Sequence, residues 1–167
     1  MDISADMVKE LRQKTGAGVM DCKKALTDAK GNFDSACEII TQKGLATAKK
    51  KSDRTAQQGV IECYVHTGNH LGVMVEINCE TDFVARTPEF KGLAHDIALQ
   101  ISAMSPQYIC KEDVPADEKA DPQVACLLLQ PFIKDPSKSI QDIITETIAK
   151  TGENIKVRRF IRFELGY

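Results

Sequence analysis

Two alternating runs around Gly68-Asn69 constrain this chain more than any other feature. Ile61, Cys63 and Val65 alternate with Glu62, Tyr64 and His66, and beyond the turn Leu71, Val73, Val75, Ile77 and Cys79 fall on every second residue. A period of two is the side-chain period of a β-strand, and Gly and Asn accept the positive φ of a tight hairpin turn. The second run is apolar throughout, so that face must be buried. A chain built on such a hairpin has to supply cover for at least one face of a sheet.

The alternation stops at Cys79-Glu80-Thr81-Asp82-Phe83-Val84. Thr81 suits the N-cap of a short helical turn, and Asp82 then lies in a first turn, where the helix dipole favours a carboxylate. Aromatics make up only 5% of the chain, so Phe83 beside that carboxylate is conspicuous. By pattern alone Phe83 is open between core and a contact offered at the rim of the sheet. Thr87-Pro88 then opens a longer helix, whose stripe of Phe90, Leu93, Ala94, Ile97, Ala98 and Ile101 runs towards Met104.

Residues 3–44 read as three short helices. Ser4 caps the first, with Met7, Val8 and Leu11 inward, and Gly16 suits the C′ position. Val19, Cys22, Leu26 and Ala29 form the inward face expected for the second helix. Met20 lies about 100° around from Val19, on the side of Lys23 and Lys24. That combination is either a contact patch for another protein or an ordinary exposed methionine. Asp34 is the expected cap of the third helix, with Ala36, Cys37, Ile39 and Ile40 inward and Gly44 at its end. Residues 45–54 turn basic and read as a solvated linker, so the chain divides into residues 1–54 and 55–167.

After the helix that starts at Pro88, residues 106–110 read as extended and residues 111–122 as an exposed, proline-punctuated connection. Asp121-Pro122 opens a short helix through Leu128, and Lys134-Asp135-Pro136 reads as a turn. Ser139 caps a helix with Ile140, Ile143, Ile144 and Ile148 inward, ended by Gly152. The last stretch is extended, with Ile155, Val157, Ile161, Phe163 and Leu165 on one face. Arg159 interrupts that face and calls for a bulge or an ion pair. The order of elements indicates an α+β fold: a three-helix module, then a core with a small, mainly antiparallel sheet and helices packed on it.

Charge narrows the function classes. Residues 1–54 carry 11 Lys/Arg against 8 Asp/Glu, and the remainder carries 11 against 16. Neither part has the basic surplus of a dedicated nucleic-acid binder, and the acidic core would repel phosphate. No apolar run reaches the roughly 18 residues of a membrane span. The start Met1-Asp2-Ile3-Ser4 lacks a leader pattern, and the six cysteines are scattered without a CxxC pair, so a reducing, cytoplasmic location is expected. His66 and His70 flank a turn rather than share a helix face, no cysteine stands in a nucleophile motif, and Thr15-Gly16-Ala17-Gly18 lacks the GK[ST] ending of a phosphate loop. No enzyme, metal or cofactor signature emerges.

Four stretches resemble a known family. Thr15-Gly16-Ala17-Gly18-Val19-Met20-Asp21-Cys22-Lys23-Lys24-Ala25-Leu26 is similar to the N-terminal signature of translation elongation factor Ts, and residues 75–85 resemble its second signature. Gln130-Pro131-Phe132-Ile133-Lys134-Asp135 and Gly152-Glu153-Asn154-Ile155-Lys156-Val157-Arg158-Arg159 also resemble it. The resemblance implies a guanine-nucleotide exchange factor for the GTPase elongation factor Tu, with an N-terminal module like a ubiquitin-associated domain. It implies partner contacts through Val19, Met20 and Lys23. It further implies that Thr81, Asp82, Phe83 and Val84 disturb the partner's Mg²⁺ site, and that this chain binds no cofactor itself. The interval between Val114 and Leu127 is shorter and more polar than in most of that family. Short members tend to dimerise through the core, which makes a homodimer a further expectation.

Overall fold

A computed structural model describes residues 3–166, so Met1, Asp2 and Tyr167, at the ends of the two expected segments, lie outside the described residues. The chain begins with three helices: α1 (Ala5–Thr15), α2 (Val19–Asp28) and α3 (Phe33–Lys51). The Ser4 hydroxyl accepts from the Met7 N–H, and Gly16 at φ 68° closes α1 with its N–H on the Arg12 carbonyl. Val8, Leu11, Cys22, Ala25, Leu26 and Ala36 form one small core among these helices.

Three expectations for this region are corrected. Asn32, not Asp34, caps α3: its side chain accepts from the Ser35 N–H. Val19 is half exposed, and the inward face of α2 is Cys22, Ala25 and Leu26 instead. Gly44 does not end α3, which runs on through the basic stretch to Lys51. Gly44 is buried in mid-helix where α3 crosses a later helix near Ala149. The supposed linker is thus the last two turns of a helix.

The larger core is built on β1 (Gln58–Val65) and β2 (Leu71–Cys79), paired antiparallel through the expected turn, with Cys63 opposite Met74. A four-residue helix α4 (Asp82–Ala85) leads into α5 (Pro88–Met104), and α6 (Pro122–Ala125) follows. The small hairpin β3 (Pro131–Phe132) and β4 (Asp135–Ser139) precedes α7 (Ile140–Thr151) and β5 (Lys156–Glu164). Asp135-Pro136 was expected in a turn but begins β4, and the turn falls on Ile133-Lys134. Strand order is β1-β2-β5, so β2 is central.

Val73, Val75, Ile77 and Cys79 of β2 are buried beneath Phe90, Leu93, Ala94 and Ile97 of α5 and Ile140, Ile144 and Ile148 of α7. Fully burying one such side chain contributes about 1.5–3 kcal/mol, so this row dominates the core. The helices cover one face of the sheet. Where the helices meet β3, Gln100 donates to the Gln130 side chain and the Pro131 carbonyl, both at 3.1 Å, and every buried side-chain N or O among the described residues is partnered.

The expected face of β5 is also corrected. The register slips between Glu76 and Ile77: Glu76 opposes Arg159 and Ile77 opposes Val157, which leaves Arg158 as an extra residue. Side chains beyond this bulge change face. Phe160 packs on the core, whereas Ile161 and Phe163 are exposed with Leu165 on the outer side. Arg159 donates to Glu76 at 2.7 Å, so the interruption carries both a bulge and an ion pair.

A helical Gly44 and a left-handed Gly16 answer oppositely to alanine. A Cβ at Gly44 would rest 3.6 Å from the Ala149 Cβ, an ordinary contact. Gly44→Ala is expected to stabilise the protein by about 0.5–1 kcal/mol in chemical denaturation. At Gly16 a Cβ would meet Lys150 Cε at 2.3 Å, with φ 68°. Gly16→Ala is expected to cost about 1 kcal/mol or more in the same measurement.

Candidate functional site

The turn that carries Phe83 is assembled from local caps and one distant carboxylate. β2 ends at the buried Cys79, whose Sγ donates to the Thr81 carbonyl at 3.1 Å. The Thr81 hydroxyl accepts from the Val84 N–H at 3.4 Å and so caps α4. One turn on, the Thr87 hydroxyl donates to the Val84 carbonyl at 2.8 Å and accepts from the Phe90 N–H at 3.2 Å. Ala85 is buried and Val84 packs against the core, which anchors the inner side of the turn. On its outer side Phe83 is 78% exposed, so it is not part of the core. Asp82 pairs with Arg86 at 2.7 Å, one turn along.

A polar network holds the start of this turn. Glu153, just past the end of α7, accepts from the Glu80 N–H at 3.1 Å, the Thr81 N–H at 2.9 Å and the Thr81 hydroxyl at 2.6 Å. Glu80 in turn accepts from the Asn154 N–H at 2.7 Å and lies 3.5 Å from the Arg54 guanidinium. The buried Asn154 amide donates to the Ser52 carbonyl at 3.3 Å and the Arg54 carbonyl at 2.7 Å. Lys51 also reaches the Gly152 carbonyl. The end of α3, the end of α7 and the exit of β2 are therefore tied together. Burial, and secondarily the charge of Glu153, push the Cys79 thiol up to about 11, so at neutral pH it is a hydrogen-bond donor and not a nucleophile.

The N-terminal candidates lie on the first turn of α2. Val19 and Met20 are exposed, Met20 at 74%, and Lys23 is exposed one turn further along. Asp21 between them is engaged by Lys43, and Lys23 and Lys24 are both exposed beside the two apolar side chains. The helix that carries them packs through Cys22, Ala25 and Leu26 on one hydrophobic cluster, and the Phe83 turn packs through Val84 and Ala85 on another.

Two arrangements were not anticipated from the sequence. One is the Glu80–Glu153–Asn154 network, whose signal was only a polar pair following the Gly152 helix end. The other is the outer face of the sheet. Cys63, Met74 and Ile161 stand opposite one another across the three strands, flanked by exposed Ile61, Val65 and Phe163. Ile61, Cys63 and Val65 alternate as regularly as a core-facing row, yet they point away from the helices. On the same face the Arg159 guanidinium holds the Glu76 carboxyl below the usual carboxylate range.

Elsewhere the titratable groups pair off. His66 shares a hydrogen bond with Tyr64 at 3.0 Å, and His95 lies 3.0 Å from Glu62. Burial and the Asp113 carboxylate push the Cys110 thiol up to about 11. Arg162 is bound by Glu164 at 2.6 Å and Arg158 lies 3.9 Å from Glu76, so the basic residues of β5 are partly neutralised. Among the described residues no three His, Cys, Asp or Glu side chains converge as metal ligands, and no helix is long and apolar enough to cross a membrane.

The family model described as "Elongation factor TS" matches residues 3–123. The elongation factor Ts of Thermodesulfovibrio yellowstonii is 52% identical, over 99% of this chain and 98% of the relative. That of Carboxydothermus hydrogenoformans is 50% identical, over 98% of this chain and 89% of the relative. That of Herpetosiphon aurantiacus is 48% identical, over 99% of each. The first of these alignments spans 195 positions against the 167 residues here, so that relative carries residues without a counterpart in this chain.

Exposure separates Phe83 from the aromatic that anchors α5. Phe83→Ala is expected to change unfolding free energy by less than about 0.5 kcal/mol, whereas Phe90→Ala costs about 3–5 kcal/mol. Equilibrium denaturation of both variants checks the contrast.

Proposed function

The chain belongs to the elongation factor Ts family, and on that premise we propose that it is a guanine-nucleotide exchange factor acting on elongation factor Tu in the cytoplasm. Residues 1–54 serve as the docking module, with Val19, Met20 and Lys23 on the partner's nucleotide-binding domain. Residues 55–167 carry the wedge, Thr81, Asp82, Phe83 and Val84. The wedge enters beside the partner's Mg²⁺ site, loosens the metal and the phosphates it bridges, and lets GDP leave so that GTP can load. The chain makes and breaks no covalent bond and needs no cofactor of its own.

The observation that carries this reading is an aromatic side chain, 78% exposed, on a turn held at both ends by caps and a buried strand. A mobile loop would lose its ordering entropy on binding, whereas a preformed one loses little. Exchange itself is a matter of linkage. A factor that binds the nucleotide-free GTPase more tightly than the GDP form must weaken GDP by the same ratio. A ratio of about 10⁴ corresponds to roughly 5.5 kcal/mol of differential binding. Burying Phe83 against the partner supplies about 2–3 kcal/mol of it. Displacing the metal, the largest local charge at that site, supplies the remainder.

The bare outer face of the sheet supports a homodimer through the core. Cys63, Met74, Ile161 and Phe163 form an apolar surface rimmed by Glu76 and Arg159, the pattern of a sheet that meets a second sheet. A twofold pairing of this face satisfies both copies alike.

Release of fluorescent GDP from elongation factor Tu tests the exchange reading. Acceleration is expected, and its absence at stoichiometric excess would sink the proposal. Phe83→Ala should slow stimulated release by about tenfold or more, and Lys23→Ala should weaken complex formation measured by calorimetry. For the dimer, sedimentation should give twice the chain mass for the parent and a monomer for Met74→Glu.

A further inference from the structure

The exit of β2 presents two consecutive N–H groups, those of Glu80 and Thr81, with no strand to receive them. The β1 partner register ends with Gln58 opposite Cys79, one residue earlier. Donors left over by the ladder must find another acceptor, and a carboxylate makes the stronger, charge-assisted bond. Here the anion is part of the chain itself: one oxygen of Glu153 takes both N–H groups and its other oxygen takes the Thr81 hydroxyl. The donors lie 72 and 73 positions away in sequence, so the contact is wholly tertiary.

We propose that Glu153 is the positioning residue of the wedge: its carboxylate sets the direction in which residues 81–84 leave the sheet, and so where Phe83 meets the partner. The proposal rests on the wedge reading of Phe83. Glu153 is itself well placed for the task. Gly152 at φ 75° closes α7 with its N–H on the Ile148 carbonyl, and the Glu153 N–H meets the Thr151 hydroxyl at 3.4 Å. The carboxylate is therefore carried on the rigid end of a helix whose Ile144 and Ile148 are in the core. Neighbouring Asn154 binds the carbonyls of Ser52 and Arg54, directly after α3. One short segment thus touches both the wedge and the helix that leads from the docking module.

Such a role depends on reach more than on charge. Glu153→Asp keeps the charge but withdraws the carboxylate by one methylene, and Glu153→Gln keeps the reach, with one carbonyl oxygen for the two N–H groups. With full-length protein, Glu153→Asp is expected to lower the maximal rate of stimulated GDP release about tenfold, because displacement of a reacting element by about 1 Å costs rate steeply. Its half-saturating concentration should stay within about twofold, since docking through α2 is intact. Glu153→Gln should retain the maximal rate within about threefold. Placed on Phe83→Ala, Glu153→Asp should slow exchange no further, because the aim of an absent ring is immaterial.

If Phe83→Ala slows exchange and Glu153→Asp does not, the positioning role is lost while the wedge stands. If Phe83→Ala leaves exchange unchanged, the wedge reading falls and this proposal falls with it. Multiplicative losses in the double variant, or a Gln variant worse than the Asp variant, would also overturn it. A purely structural role would lower the melting temperature of Glu153→Asp without moving the maximal rate below that temperature, and that result counts against the proposal.

Discussion

The inner row of β2 is the interaction on which the rest depends. Val73, Val75, Ile77 and Cys79 lie in the middle strand and under α5 and α7, so they hold the sheet and its helical cover together. A narrow three-stranded sheet has little cohesion of its own and takes its stability from the helices laid on one side. The row also ends where the Phe83 turn begins. Cys79 is fully buried, and Phe83 stands four residues later on a capped turn whose other end is Thr87 at the start of α5. The exposed aromatic inherits its rigidity from the core beneath it.

The second organising element is the length of α3. It begins in the small N-terminal core and ends beside Asn154 and Glu80 of the larger one. On the way it passes α7 at Gly44, where a Cβ would lie in ordinary contact with Ala149. The two hydrophobic clusters are separate, yet a continuous helix passes between them. A rigid connection of this kind sets the spacing between the α2 surface and the Phe83 turn more tightly than a flexible linker would.

Features decided within a few residues were legible in the sequence. The hairpin turn, the caps at Ser4, Thr81, Thr87 and Ser139, and the left-handed helix ends at Gly16 and Gly152 all follow from local hydrogen bonding and steric freedom. Features decided by distant neighbours were not. Gly44 carries the local signature of a helix end, but packing against α7 overrides it. Val19 fits an inward stripe by spacing, although Cys22, Ala25 and Leu26 already fill that core. Arg159 marks a bulge or an ion pair in the sequence, but the pattern does not reveal that the slip at Arg158 reverses the facing of everything beyond. Nothing local to Glu153 reveals its part, because the groups it binds lie more than seventy residues upstream.

The same slip governs how the sheet can associate. β1 and β5 are both edges, and an edge strand with free N–H and C=O groups is a template on which further strands can add without limit. On β5 the extra residue kinks the backbone, and Lys156, Arg158 and Arg159 crowd that stretch with cations. An incoming strand would meet a broken ladder and charged side chains. The outer face, by contrast, exposes Ile61, Met74, Ile161 and Phe163. A bulge at the β5 edge therefore disfavours lateral addition of strands, the usual hazard of an open sheet.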